Sequence, residues 1–126
     1  MAPAPLHVDV RWLLQQHETA LPDQPTINDF SALVAAVARH RVDPPRLGID
    51  PDASWRAAAL LHTLLLLRPL PSLNVRYACA VTIAYMHASD EGIDVPYGEL
   101  IELCKDLLAG KDSVFGAADR IRSWRI

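Results

Sequence analysis

The chain has 126 residues, of which 51% are hydrophobic and 21% charged, and its formal net charge is −3. That length suits one domain around one core, and the apolar content separates it from disordered, highly charged tails. The mild acidity, with twelve Lys and Arg scattered along the chain, argues against a nucleic-acid binder.

Helical periodicity dominates and period-two alternation is nowhere sustained, so an all-α fold is expected: a single domain over 1–126 built as a bundle of about six helices. The opening Met1 to Pro5 has no basic stretch leading into an apolar one, so no signal peptide is expected. A first helix begins near Asp9 and runs to about Thr19 with Trp12, Leu13 and Leu14 inward; Leu21 to Pro25 breaks it. Thr26 and Asp29 resemble a capping box. Behind them Ile27, Phe30, Leu33, Val34 and Val37 follow the i, i+3, i+4, i+7 rule for one buried face. Pro44, Pro45, Gly48 and Pro51 make residues 40–52 a loop or short hairpin.

Asp52 or Ser54 caps a third helix that carries the longest apolar run, Ala57 to Leu67. At about half the roughly 20 residues of a membrane span, it reads as a buried core helix. Pro69 and Pro71 break it. Asn74 is the expected N-cap of a fourth helix over roughly 75–88, holding Ala78, Val81, Thr82, Tyr85 and Met86, and Gly92 ends that element. A fifth helix follows Pro96-Tyr97-Gly98 with Leu100, Ile101, Cys104, Leu107 and Leu108 inward, and Gly110 stops it. Asp112 or Ser113 caps a last helix with Val114, Ala117, Ala118, Ile121 and Trp124 inward.

Cys79 and Cys104 sit in apolar helical patterns without CxxC spacing. This predicts buried free thiols in a reducing, cytoplasmic compartment rather than a disulfide or a metal site. The five histidines lack ligand spacing such as HExxH, so no metal is expected. His62 is expected to be a satisfied core histidine. Asp90, Glu91 and Asp94 flank a turn and are expected to be solvated, and Asp50 and Asp52 to be loop and cap acids.

The segment Arg68-Pro69-Leu70-Pro71-Ser72-Leu73-Asn74-Val75-Arg76-Tyr77-Ala78 stands out on its chemistry alone. It is a proline-bounded turn that joins two buried helices and delivers Asn74 and Arg76 to the start of the second. A helix start offers unpaired N–H groups and the positive end of the dipole, and Arg68 and Arg76 add charge, so a phosphate fits there. The same residues also allow a plainer reading, in which Asn74 only caps and the arginines are solvated or pair with acids.

The segment resembles the Fic/Doc (Fido) motif, H-P-F-x-D-G/A-N-K/G-R-T-A. Pro69, Asn74, Arg76 and Ala78 match it, and Leu70 replaces its Phe conservatively. The lead-in Ala58 to His62 is similar to the helix before that motif. Val10 to Leu14, Leu21-Pro22, Glu91 to Asp94 and Ala109 to Lys111 extend the likeness over nearly the whole chain. The resemblance implies a compact Doc-toxin type of domain, with residues 40–52 as a flap that docks the target segment.

In that family the motif His is the general base, the following acid holds Mg2+, and the Gly-Asn-Lys-Arg stretch holds phosphates. Here the His position holds Arg68, which stays protonated and cannot act as a base. Ser72 stands at the metal-binding acid, Leu73 at the Gly and Val75 at the Lys, so Mg2+ lacks its carboxylate. The resemblance therefore implies a degenerate domain, a pseudoenzyme. It would bind ATP, another nucleotide or a protein partner at the former cleft through Arg68, Leu73, Asn74, Val75 and Arg76. Two alternatives stay open. One is an active toxin moving a phosphoryl or adenylyl group from ATP to a Ser or Thr hydroxyl of a target protein, countered by an antitoxin-like partner. The other is a purely structural interaction module. No nucleic acid and no membrane are expected as partners.

Overall fold

The computed structural model describes residues 4–23, 26–43, 48 and 51–126. Its helices are α1 (Val10–Ala20), α2 (Phe30–His40), α3 (Ala53–Leu67), α4 (Asn74–Ala88), α5 (Glu99–Leu108) and α6 (Val114–Ser123). No strand forms among the described residues; an isolated antiparallel bridge joins Ile93 to Arg125. The fold is the expected all-α bundle. None of these helices is long and apolar enough to cross a membrane.

Short polar side chains start four of the helices by accepting N–H groups that have no partner within the helix. Asp9 accepts from Trp12 N–H at 2.8 Å, Asp52 from Trp55 N–H at 2.9 Å, and Ser113 from Gly116 N–H at 3.2 Å. Asp29 caps α2 by accepting from Ser31 N–H at 3.0 Å and from the Ser31 hydroxyl. The capping box expected from Thr26 is therefore replaced by Asp29 alone, and α2 starts at Phe30.

α3 is the axis of the bundle and packs against α2, α4, α5 and α6. Every residue from Ala53 to Leu61 is buried, as are Thr63, Leu64 and Leu65. A helix apolar on all sides has to be enclosed on all sides, which is the physical content of its long apolar run. α4 buries Tyr77, Ala78, Val81, Thr82, Tyr85 and Met86, and α6 buries Val114, Ala117, Ala118 and Ile121, as their patterns predict.

Two faces differ from expectation. In α2 the inward residues are Ala32, Leu33, Ala36 and His40, while Phe30 and Val34 are 55% and 57% exposed. In α5 Leu103 joins Leu100, Cys104 and Leu107 inside, and Ile101 and Leu108 face outward. The small Ala32 and Ala36 thus share the buried face with Leu33 and His40, against the rule that larger apolar residues point in.

The end of α4 also differs. Asp90, not Gly92, takes the left-handed conformation (φ 58), and Glu91 N–H reaches back to Met86 O at 3.0 Å. Gly110 (φ 73) does end α5, with Lys111 N–H bonded to Asp106 O at 2.8 Å. Of the loop or flap hairpin expected over residues 40–52, residues 44–47 and 49–50 lie outside the described residues.

The N-terminal segment is tied down by side chains of other elements. Val8 N–H donates to His40 Nε2 at 3.0 Å, and Arg41 donates to Val8 O at 3.1 Å. The Tyr85 hydroxyl donates to Leu6 O, and the Tyr77 hydroxyl to Leu13 O at 2.8 Å. At the other terminus Asp94 N–H bonds Trp124 O at 2.8 Å, and Ile126 N–H bonds Gly92 O at 3.0 Å.

Candidate functional site

The turn between α3 and α4 begins where α3 closes on Arg68, whose backbone is left-handed (φ 49, ψ 69) and whose N–H donates to Leu64 O at 3.1 Å. Pro69 is buried, and its carbonyl accepts Asn28 N–H at 2.8 Å and Asp29 N–H at 3.2 Å, which fastens the turn to the start of α2. Leu70 is buried in the core.

Asn74 then clasps that residue from both sides. Its Oδ1 accepts Leu70 N–H at 2.9 Å and its Nδ2 donates to Leu70 O at 2.8 Å. A buried leucine needs partners for its own peptide groups, and the Asn74 amide supplies both. Asn74 is thus neither the cap of α4 nor a group aimed at a ligand, in contrast to both sequence expectations.

The cap of α4 is Leu73, left-handed at φ 63 and ψ 25, with no side-chain hydrogen bond at the cap. The first N–H groups of α4 accordingly meet no capping side chain. Arg68, Ser72, Leu73 and Arg76 are exposed, and Val75 is half-buried. Neither Arg68 nor Arg76 makes an ion pair among the described residues. The turn thus offers two free guanidinium groups and the positive end of a 15-residue helix on an open surface.

No known protein family, curated protein or solved structure matches this chain.

His62 lies on α3, half-buried, with its Nδ1 3.1 Å from Arg39 Nη1. Burial and the Arg39 charge hold its pKa below the ordinary histidine value. Among the described residues no group of three or more His, Cys, Asp or Glu is placed to hold a metal ion.

The carboxylates expected to be solvated divide. Asp90 and Asp94 are exposed, but Glu91 pairs with Arg125 at 2.8 Å. Asp52 caps α3 and also takes a two-pronged contact from Arg122, at 2.8 and 3.0 Å. Burial works to raise the Asp52 pKa. The Arg122 hydrogen bond and charge, with the Trp55 N–H, outweigh it and hold the carboxyl below its usual value.

Residue spacing does not single out Arg56. It is 8% exposed, donates from Nε to the Tyr85 hydroxyl at 2.6 Å and from Nη1 to Pro51 O, and makes no ion pair among the described residues. With Asp52, Ala88, Ser89, Asp90 and Glu91 it lines a cleft of about 650 Å3. That cleft lies at the far end of α3 and α4 from Arg68. The length of α3 separates the two, about 22 Å at 1.5 Å per residue.

Proposed function

We propose that the chain is a degenerate Fic/Doc-like domain whose former catalytic turn persists as an anion-holding loop for a nucleotide or a phosphorylated partner, without ordinary transfer chemistry. The observation that carries this reading is the backbone at Leu73. Its left-handed φ of 63 and ψ of 25 is the conformation a glycine adopts freely, and Leu73 stands where the motif has its glycine. Directly after it comes a helix start without a side-chain cap, which supports reading the loop as an anion-holding turn.

The side chains present support binding over transfer. A guanidinium at position 68, in place of the motif's imidazole, supplies no base for an attacking hydroxyl. Loss of a general base alone costs about 10²–10⁴ in rate. Ser72 offers a neutral oxygen where Mg2+ chemistry needs a carboxylate. The Asn74 amide is committed to Leu70. Phosphate oxygens would therefore meet the N–H groups of the first turn of α4, flanked by the Arg68 and Arg76 charges. Leu66, Leu67 and Leu73 are exposed in and beside the same turn, which favours a second reading in which a protein surface carries the anionic group.

Calorimetric titration of the full chain with ATP, ADP and inorganic phosphate tests this, with and without Mg2+. Arg76→Ala is expected to weaken ATP binding about tenfold, equivalent to roughly 1.4 kcal/mol, whether or not Mg2+ is present. Equal affinities in the parent and in Arg76→Ala, or no binding in the parent, would overturn the proposal. The double change Arg68→His with Ser72→Asp probes the chemistry separately. Transfer of phosphate or AMP to protein in that variant alone is the expected sign of an intact cradle.

A further inference from the structure

Cys79 and Cys104 lie on different helices, 25 positions apart in the chain, yet their sulfur atoms are 3.5 Å apart. Cys104 is buried and Cys79 half-buried, and both are free thiols. Buried cysteines that serve only as small apolar residues have no need to touch each other. We propose that this pair is a reversible dithiol–disulfide site that joins α4 to α5 and responds to peroxide or to a small disulfide such as oxidised glutathione.

The geometry is close to what the bond requires. A disulfide has an S–S distance of about 2.05 Å, so bond formation needs the sulfurs to approach by roughly 1.5 Å. The two thiols are also unlike. A hydrogen bond from Cys104 holds the Cys79 thiol below its usual pKa, against the opposing effect of burial. The hydrogen bond to Cys79, burial and the Cys79 charge push Cys104 up. The more accessible sulfur is thus the better thiolate.

With peroxide the steps balance as follows. The Cys79 thiolate attacks one peroxide oxygen, an S–O bond forms, the O–O bond breaks, and the departing hydroxide takes a proton to become water. The Cys104 sulfur then attacks the Cys79 sulfenic acid as its own proton leaves. The S–S bond forms, the S–O bond breaks and a second water departs. Two thiols are oxidised by two electrons in total, and one peroxide is reduced to two waters. With oxidised glutathione the Cys79 thiolate displaces one glutathione thiolate to form a mixed disulfide. Cys104 then displaces the second, which leaves two reduced glutathiones.

The test treats the full chain with hydrogen peroxide, and separately with oxidised glutathione, then quenches, denatures and alkylates it for intact-mass measurement. The expected product is a monomer lighter by two hydrogen atoms, with no alkylatable thiol, fully restored by dithiothreitol. Its thermal midpoint is expected to rise by roughly 10 °C, because the cross-link constrains the unfolded chain. In Cys104→Ala, Cys79 is expected to stop at a dimedone-reactive sulfenic acid or a glutathione adduct. Two alkylatable thiols remaining in the treated parent would overturn the proposal, as would consumption only through dimers or higher sulfur oxides. The parent's mass decides even if the variant fails to fold.

Discussion

Leu73 holds a branched side chain in a left-handed backbone that L-residues enter at a cost of about 1–2 kcal/mol. Leu73→Gly is expected to raise stability by about 0.5–1 kcal/mol in urea unfolding, because relief of that strain exceeds the extra entropy of a glycine chain. Leu73→Val, β-branched, is expected to lower it by at least about 1 kcal/mol. If both variants move the same way, the left-handed conformation is wrong. No local rule assigns positive φ to a leucine, so this feature was not legible in the sequence. Asn74 shows a different limit. Its type serves equally as a helix cap and as a partner for turn peptides. The choice was made by the burial of Leu70, which is a fact of the whole fold.

Among the elements, the helix starts at Asp9, Asp52 and Ser113 were legible because capping is a local bargain between one side chain and one N–H group. The faces of α4 and α6 were legible for the same reason, through spacing alone. The rotation of α2 was not: Phe30 and Val34 satisfied the periodic rule, yet they face outward while Ala32 and Ala36 are buried. The clasp between α3 and α4 belongs to this scale. Asn74→Ala leaves the Leu70 N–H and C=O without partners inside the protein and is expected to cost about 2–3 kcal/mol in urea unfolding. An effect below about 0.5 kcal/mol would mean that water replaces the amide, and that the turn is open to solvent.

At the scale of the molecule, buried His40 and half-buried His62 tie stability to pH. His40 accepts from Val8 on one nitrogen and meets Val37 O with the other, so it is held neutral; burial, with the nearby His7 and Arg41 charges, depresses its pKa. His62 shifts in the same direction. A depressed histidine binds its proton more readily in the unfolded chain, so its contribution is present above about pH 6.5 and is lost as pH falls from there towards the folded value. The urea midpoint is therefore expected to drop between about pH 7 and pH 5. A further decline is expected below about pH 4, where Asp52 loses its depressed carboxylate. A flat profile from pH 7 to 5 would show that neither histidine is held neutral. His40→Gln is expected to begin lower at pH 7 and to slope less. The enclosure of α3 along most of its length has a last consequence. One inserted residue turns all that follows by about 100°, so this helix works as a ruler whose length cannot drift. Arg68 and Ser72 lie beyond its end in solvent, where substitutions leave that frame undisturbed.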